Sequence, residues 1–317
     1  MYSLHFYGEM MADTGRVEPY VEALRQRVGP DSVVLDLGCG PGLFALLACK
    51  FGARRVFAVE PDNTINIARE AAAANGFANR IEFFQNVSTE ITLPESATII
   101  ISDLRGVLPW FTQAVTTIIN ARQRLLASGG VLIPRRDLLW ATIVEEPDQF
   151  QEIVGPWQDS KFDVNLSAGV SRITNTWRKT KIKPESFLSE AVCCATLDYT
   201  TVVSPDLRAE TSWRVRRPGT AHGVALWFDA DLADGIGFSN RPGAPELIYG
   251  QAFFPFSRPV PVREGEQVKL NLRADHVQKD YVWSWSTDFV DQKIRLEQST
   301  FYGVPLSPEL LKKKYAQ

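Results

Sequence analysis

The residues best able to do chemistry lie close together in the stretch VLDLGCGPGLF, residues 34–44. Asp36 is followed by Gly38, Gly40 and Gly42, and β-branched apolar residues precede them. Glycines between a strand and a helix permit backbone angles that other residues avoid, and they let a ligand approach the backbone closely. Because open α/β sheets bind ligands at the carboxyl ends of their strands, this loop is predicted to be a binding site.

The acids around the loop indicate which ligand it binds. A dinucleotide fingerprint requires glycine at the sixth position of GxGxxG, and that position is Leu43 here. The Asp36 carboxylate repels a pyrophosphate but suits the ammonium group of a zwitterionic ligand. Glu60 follows 18 residues after Gly42, where a carboxylate can accept both hydroxyls of a ribose. The pattern favours S-adenosylmethionine over a nicotinamide cofactor; strand-end charges around a structural turn are the alternative.

The elements that must position these residues alternate between strands and helices up to residue 134. Apolar runs rich in β-branched residues predict strands, and Ala-rich or amphipathic segments predict helices. The predicted strands are 32–38, 53–60, 80–87, 97–103 and one that opens at 131–134, and the predicted helices are 43–52, 62–76 and 111–130. This alternation predicts a doubly wound, Rossmann-like parallel sheet with right-handed crossovers.

The helical pattern ends near residue 135. Residues 223–232, 266–275 and 281–289 alternate apolar with polar side chains at period two, which predicts antiparallel strands of a sandwich or barrel. A chain of 317 residues is also long for a single core. We therefore expect an α/β + β protein, with a cofactor-binding domain at 1–134 and a β domain at 135–317.

Composition excludes several other classes. The net charge is −3 and the pI about 5.8, so nucleic acid is not an expected partner, and the basic stretch 172–183 is expected to be a solvated strand or loop. No apolar run approaches the roughly 20 residues that span a bilayer, and acids replace the apolar core of a signal peptide. The four cysteines form no CxxC pair, so we expect no metal site and a cytoplasmic location with reduced thiols.

Several motifs in order along the chain resemble the protein arginine methyltransferases. They are EMMADTGRVEPY (9–20), VLDLGCGPG, AVEP, SD-LRG, ARQRLLASGGVLIP (121–134) and GFSNRPGAPELIYGQAFF (237–254). The resemblance covers nearly the whole length. It implies a methyltransferase domain joined through Pro134 to a β-barrel domain, an N-terminal segment that folds over the cofactor, and a homodimer. It also implies a helical arm around residues 145–170.

The resemblance implies a role for each residue around the cofactor, S-adenosyl-L-methionine, whose product is S-adenosyl-L-homocysteine. These roles are Met10 packing near the sulfonium, Arg16 pairing with the methionine carboxylate, Asp36 belonging with Gly38, Gly40 and Gly42 to the cofactor motif, Glu60 holding the ribose, and Ser88 with Thr89 lying beside the adenine. The family usually has an acid at the position of Thr89, so this is a departure from its pattern.

The acceptor side departs further from the family pattern. Two family glutamates that clamp a guanidinium correspond to Asp103 and Thr112, and Arg105 adds a positive charge between them. The family's Thr-His-Trp element corresponds to Leu247–Tyr249, without the histidine. Asp103 ends the fourth predicted strand, where an acceptor approaches the cofactor. Asp103 and Thr112 are therefore the predicted catalytic residues; the alternative is that Asp103 pairs with Arg105 or caps a turn.

We therefore predict an S-adenosylmethionine-dependent methyltransferase whose acceptor is an amine or hydroxyl, on a small molecule or a protein, and not a doubly clamped arginine. One alternative is a genuine protein arginine N-methyltransferase with a divergent loop. Another is a catalytically silent cofactor-binding scaffold. A nicotinamide-dependent dehydrogenase is the most distant alternative.

Overall fold

A computed structural model describes residues 3–159 and 161–303 of the chain. The chain forms two compact units. The first unit contains the described residues up to Leu138 together with Thr196–Pro205 and Phe228–Tyr249. The second unit contains the described residues of Leu139–Ala195, of Asp206–Trp227 and of the stretch from Gly250 to residue 303. The predicted domain limits, 1–134 and 135–317, stay a prediction, and residues 1–2, 160 and 304–317 lie outside the described part.

The first unit is built on a five-stranded parallel sheet. Its elements are α1 Leu4–Ala12, α2 Thr14–Arg27, β1 Val33–Leu37, α3 Leu43–Lys50, β2 Arg55–Val59, α4 Ile65–Ala74, β3 Ile81–Phe84, β4 Ala97–Ser102, α5 Ala114–Arg124 and β5 Leu126–Ile133. The strand order is β3-β2-β1-β4-β5, and every pairing is parallel. The order reverses at β1, and right-handed crossovers on either side of that point place helices on both faces. The predicted doubly wound sheet is confirmed.

The chain then enters antiparallel sheets. The elements are β6 Arg136–Val144, α6 Pro147–Gln158, α7 Val170–Ile173, β7 Arg178–Thr180, β8 Val192–Asp198, β9 Leu207–Arg214, β10 Gly219–Ala233, β11 Ile236–Ser239, β12 Gln251–Val262, β13 Gln267–Val277, β14 Asp280–Phe289 and β15 Ile294–Ser299. One sheet has the order β7-β12-β10-β6-β8, with β11 on β10, and the other has the order β15-β14-β13-β9. The predicted strands at 223–232, 266–275 and 281–289 are confirmed within β10, β13 and β14.

Two predicted segments were wrong. The helix predicted over 111–130 ends at Arg124, and Leu126–Ile133 is already strand β5, because its residues pair with β4 from Ala97 onward. The helical pattern also does not end at residue 135, since α6 lies within the stretch 145–170 where the family resemblance implies a helical arm. α6 begins with Pro147 in its first turn and buries Phe150, Ile153 and Val154, a spacing that periodicity alone could have revealed.

Candidate functional site

The glycine loop lies between β1 and α3, and all three of its glycines have positive φ. The φ angles are 74° at Gly38, 50° at Gly40 and 89° at Gly42. A Cβ at Gly40 would lie 2.8 Å from the ring of Tyr7, and one at Gly42 would lie 2.7 Å from Cβ of Ala68. Glycine is therefore required twice over, for its backbone angles and for the close approach of α1 and α4 to the loop.

Asp36 lies at the carboxyl end of β1 and is only 1% exposed. Its Oδ2 accepts a hydrogen bond from the backbone N–H of Ala45 at 2.8 Å, in the first turn of α3. Burial raises the pKa of Asp36 to about 7; the bond from Ala45 opposes this shift and the charge of Glu60 adds to it. The carboxylate thus anchors the helix that follows the loop, and a nearby cation would stabilise its charged form.

Glu60 follows β2 directly, and its carboxylate is hydrogen-bonded to the backbone of the glycine loop. Oε2 accepts from the backbone N–H of Gly40 at 3.0 Å, and Oε1 accepts from that of Asp62 at 2.9 Å. Burial raises the pKa of Glu60 above its usual range. Each oxygen retains a lone pair, so the carboxylate can still accept hydrogen bonds from a ligand.

Ser88 and Thr89 form a single turn of 3₁₀ helix, with Ser88 buried and Thr89 exposed. Arg124, in the last turn of α5, holds this turn. Its Nη1 donates to the carbonyls of Ser88 at 3.3 Å and Thr89 at 3.2 Å, and its Nη2 donates to that of Ile91 at 2.8 Å. The turn is therefore fixed beside the sheet.

Arg16 is buried on α2, where its side chain joins residues far apart in the sequence. Its Nε donates to Oδ2 of Asp103 at 2.6 Å and to the hydroxyl of Tyr249 at 3.2 Å, and its Nη1 donates to the carbonyl of Met10 at 2.7 Å. In the described part of the chain, Nη2 has no hydrogen-bond partner. Burial by itself would lower the pKa of Arg16, but the charge of Asp103, its hydrogen bond and the hydroxyls of Tyr249 and Tyr20 together outweigh burial, and the pKa is raised.

Asp103 follows β4 directly, and three side chains donate to its carboxylate. Oδ2 accepts from Arg16 and from the hydroxyl of Tyr249, both at 2.6 Å, and Oδ1 accepts from Nη1 of Arg105 at 3.0 Å. Burial by itself would raise the pKa of Asp103, but the two guanidinium groups outweigh it and hold the pKa below its usual value. One of its four lone-pair sites remains, on Oδ1.

Arg105 is held by a second carboxylate, Asp137 of β6. Nε and Nη2 of Arg105 donate to the two oxygens of Asp137 at 2.7 and 2.8 Å, a bidentate pair in which neither side chain is more than 2% exposed. Its guanidinium also lies over the rings of Phe228 and Phe238, with 5.5 and 5.6 Å to the centroids. The positive charge that the sequence places beside Asp103 is therefore neutralised within the first unit.

Two tyrosines complete this buried network. The hydroxyl of Tyr20 accepts from Nη1 of Arg105 at 2.5 Å and donates to the carbonyl of Ser102 at 3.0 Å. The hydroxyl of Tyr199 donates to Oδ2 of Asp137 at 2.6 Å. We call Arg16, Asp103, Arg105, Asp137, Tyr20, Tyr199 and Tyr249 the buried charge network. It contains two positive and two negative side chains, so its formal charge is zero.

The sequence predictions missed much of this network. Tyr20, Asp137 and Tyr199 were not predicted as site residues, and the pairing of Arg105 with Asp103 was predicted only as the alternative. A signal existed on α2, whose buried residues Arg16, Tyr20, Ala23 and Leu24 follow helical spacing and place both polar groups on one face. No comparable local signal identifies Asp137.

Thr112, the other predicted acceptor-side residue, lies at the loop before α5 with a φ of 42°. Positive φ is a strained conformation for a β-branched side chain. No hydrogen bond joins Thr112 to Asp103 among the described residues. The roles of Asp103 and Thr112 in catalysis stay predictions.

The loop Leu247–Tyr249 is anchored to the start of α2. Asp13, the N-cap of α2, accepts from the N–H of Arg16 at 3.2 Å and from the N–H of Ile248 at 2.7 Å. A Cβ on Gly15 would lie 2.7 Å from Leu247, so the two segments pack closely. This anchoring brings the hydroxyl of Tyr249 to Asp103.

Two further properties follow from the described residues, 3–159 and 161–303. No helix among them has the length and apolar character needed to cross a membrane. No group of three or more His, Cys, Asp or Glu side chains among them could hold a metal ion.

Comparison with known proteins identifies the family. Residues 136–289 match the family described as Arginine methyltransferase oligomerization subdomain, and residues 18–150 match Ribosomal protein L11 methyltransferase (PrmA). Protein arginine N-methyltransferase 2 of Homo sapiens is 30% identical over 298 residues, which cover 89% of this chain and 68% of the relative. The chain belongs to the protein arginine N-methyltransferase family. It is an S-adenosylmethionine-dependent methyltransferase, as predicted.

Other members of the family extend the comparison. Arginine N(omega)-methyltransferase of Streptomyces achromogenes subsp. streptozoticus is 28% identical, covering 83% of this chain and 74% of the relative. The solved structure of the Trypanosoma brucei PRMT1 enzyme-prozyme heterotetrameric complex with AdoHcy matches with a TM-score of 0.86 at 22% identity, covering 94% of this chain and 98% of that one. This likeness supports the predicted fold, a Rossmann-like methyltransferase domain followed by an antiparallel β-barrel domain.

The residues of the first unit fit the cofactor of this family. The positive-φ glycines leave a cradle without side chains, the Glu60 carboxylate retains acceptor capacity, and the raised pKa of Asp36 marks a carboxylate that a cation would stabilise. Arg16 has an unpartnered Nη2 within the described residues, which is a donor suited to a carboxylate. A zwitterionic adenosyl ligand without phosphate matches each of these groups.

Proposed function

We propose that this methyltransferase transfers a methyl group to an amine or hydroxyl, on a small molecule or a protein, and not to a doubly clamped guanidinium. The main observation behind this proposal is that three side chains of the protein already donate hydrogen bonds to the Asp103 carboxylate. The second acid of the family pattern is replaced by the neutral Thr112. An acceptor would therefore meet one free lone pair instead of two carboxylates.

Electrostatics support the same proposal. A guanidinium does not deprotonate at neutral pH, so a site that binds it must supply negative charge. The single charge of Asp103 lies between Arg16 and Arg105, and with Asp137 the buried charge network is neutral. The remaining lone pair on Oδ1 can accept one N–H or O–H, which suits an amine or hydroxyl acceptor.

For the cofactor we propose the roles that the family resemblance implies. Glu60 would accept the ribose hydroxyls, Arg16 would donate to the methionine carboxylate, and Met10 would lie near the sulfonium. Asp36, with Gly38, Gly40 and Gly42, would hold the methionyl ammonium side, and Ser88 with Thr89 the adenine. When bound, S-adenosylmethionine supplies an electrophilic methyl group on sulfur. Asp103 would orient the nucleophile, because its lowered pKa makes it a weak proton acceptor.

The test of this proposal follows label from methyl-tritiated S-adenosylmethionine into three acceptor sets: an arginine-rich peptide, free arginine, and a cell extract separated into proteins and small molecules. We expect label on amines or hydroxyls of the extract and none on the two arginine substrates. The Glu60→Ala variant serves as the cofactor control and Asp103→Ala as the acceptor control. Strong methylarginine formation that Asp103→Ala abolishes would overturn the proposal.

The second candidate is arginine methylation itself, which family membership favours. The human and Streptomyces relatives both carry arginine in their names. For this function one guanidinium of the protein would have to leave Asp103 before a substrate guanidinium could bind. The same labelling experiment separates the two candidates. Label on the arginine-rich peptide or on free arginine is expected only if the protein methylates arginine.

The third candidate is a catalytically silent, cofactor-binding partner subunit. The similar Trypanosoma brucei structure is described as an enzyme-prozyme complex, and the saturated Asp103 with Thr112 would suit a non-catalytic chain. S-adenosylmethionine binding without label on any fraction of the extract would favour this candidate over the first two.

We also propose that the protein is a cytoplasmic homodimer. The match to an oligomerization subdomain over residues 136–289 supports association. Sedimentation equilibrium checks this: a mass near twice 35.5 kDa is expected, and a monomer at micromolar concentration contradicts it.

A further inference from the structure

Asp137 is the one charged member of the buried charge network that bonds to neither Arg16 nor Asp103. It lies at the start of β6, is 0% exposed, and binds Arg105 through both oxygens. Tyr199 provides its third hydrogen bond. A fully buried carboxylate costs free energy unless it is paired, so its position beside Arg105 calls for a reason beyond packing.

We propose that Asp137 is a positioning residue for Arg16, and that it acts through Arg105 and Asp103. This inference rests on the proposed role of Arg16 in binding the methionine carboxylate. Asp137 compensates the positive charge of Arg105. The Asp103 carboxylate can therefore pair with Arg16 and hold it in the geometry that a ligand carboxylate requires.

The balance of charges within the network makes Asp137 necessary. Asp103 lies between two guanidinium groups, at 2.6 Å from Arg16 and 3.0 Å from Arg105. Without Asp137, both would compete for one buried carboxylate, and burial would make the surplus positive charge costly. Arg105 is fixed by two rings and by Tyr20, so Arg16 is the guanidinium that would be displaced.

The hydrogen bonds of Arg16 show what would be lost. Nε donates to Asp103 at 2.6 Å and, at the longer distance of 3.2 Å, to the hydroxyl of Tyr249, while Nη1 donates to the carbonyl of Met10. These contacts fix the plane of the guanidinium and leave Nη2 as a donor without a partner among the described residues. Once Asp103 no longer holds Nε, the side chain can rotate and the donor no longer has a fixed direction.

The test compares two ligands that differ only in the group that Arg16 would bind. S-adenosylhomocysteine carries the carboxylate, and decarboxylated S-adenosylhomocysteine lacks it. Calorimetric titration of the full-length wild-type protein is expected to give at least tenfold tighter binding of the first. Asp137→Asn keeps the side-chain shape and removes the charge, and we expect it to lose most of this preference while binding the decarboxylated ligand as before.

Arg105→Met is the matched control. It breaks the same buried pair but removes the competitor of Arg16, so we expect it to keep the preference even though its stability falls. Thermal unfolding of each variant verifies that it is folded, and Asp137→Ser replaces D137N if D137N does not fold. Loss of preference in R105M as well as D137N, or in neither, overturns the inference. If the wild-type protein binds neither ligand, the proposed cofactor site is contradicted, and the inference about Asp137 is contradicted together with it.

Discussion

The glycine loop and the buried charge network lie in the same unit, but they use carboxylates in opposite ways. Asp36 and Glu60 accept hydrogen bonds from backbone N–H groups, and neither forms an ion pair among the described residues. Asp103 and Asp137 instead accept from arginine and tyrosine side chains and are paired with positive charge. In the first arrangement, the carboxylates keep acceptor positions and negative charge that a ligand can use. In the second, nearly all acceptor positions and all of the negative charge are used by side chains of the protein.

The largest effect is expected from breaking the internal pair. Arg105→Leu leaves the Asp137 carboxylate buried without its cation, which we expect to lower the free energy of unfolding by as much as ~5 kcal/mol. Arg105→Leu with Asp137→Leu removes both charges and should recover most of that loss. Urea denaturation measures both. An R105L midpoint equal to that of the wild type would mean that the network does not stabilise the fold.

The second prediction concerns the unpaired carboxylate of Asp36. Its pKa is raised from 3.8 to about 7 in the folded protein, so the folded state binds a proton more tightly than the unfolded state. The contribution of Asp36 to the free energy of unfolding is therefore fully present below pH 4 and is lost as the pH rises through 7, by about 4 kcal/mol at 1.36 kcal/mol per pKa unit. Asp36→Asn does not titrate, and it should flatten that part of the curve.

Urea denaturation of the wild type and of Asp36→Asn between pH 4 and pH 8 checks this. The two curves should diverge with rising pH, D36N becoming the more stable protein. Parallel curves would contradict the raised pKa. S-adenosylmethionine should reduce the difference, because a bound cation stabilises the charged form of Asp36.

The same contrast explains what could be predicted from the sequence. The bonds around the glycine loop join residues 2, 9 and 20 positions apart, so that both partners of each bond lie within one or two neighbouring motifs. The bonds of the network join residues 32, 87 and 146 positions apart. Such pairs depend on how distant segments meet in the fold. Arg105 could be predicted as a charge beside Asp103, but its neutralisation by Asp137 could not.

The strands and helices follow the same rule. β1 to β4 were predicted from their apolar runs, and β10, β13 and β14 from their alternation at period two, because both signals are local. The end of α5 was wrong because Leu126–Ile133 becomes a strand only through its pairing with β4. Periodicity was not used to predict α6, although its buried residues follow helical spacing; α6 was expected only as part of the helical arm that the family resemblance implies around residues 145–170.

The third prediction tests whether Glu60 has capacity left for a ligand. Glu60→Gln keeps an oxygen for one backbone N–H but removes the charge and an acceptor. We expect S-adenosylmethionine affinity to fall about 100-fold, or about 3 kcal/mol at 1.4 kcal/mol per factor of ten. Calorimetric titration measures this, with Glu95→Gln as the control because Glu95 pairs with Arg54 and Arg55 instead. Equal affinities for E60Q and E95Q would remove Glu60 from the site.

The smallest change in stability is expected at Thr112, a predicted acceptor-side residue whose backbone conformation is strained. A β-branched residue at a φ of 42° costs of order 1–3 kcal/mol, and glycine adopts this angle freely. After the entropy cost of glycine, Thr112→Gly should stabilise the protein by about 1 kcal/mol. Thr116→Gly is the matched control, because Thr116 lies within α5 and its replacement should destabilise by about 0.5 kcal/mol.

Thermal unfolding distinguishes the stabilisation expected for Thr112→Gly from the destabilisation expected for Thr116→Gly. The labelling assay then tests whether the strained conformation of Thr112 matters for methyl transfer. If T112G is more stable and transfers methyl groups as well as the wild type, the strained loop is an incidental feature. If T112G is more stable but transfers fewer methyl groups, the conformation of Thr112 serves the acceptor, and the network cannot be the whole acceptor site. A destabilised T112G would contradict the assignment of strain, because glycine would then be replacing favourable contacts of the threonine side chain.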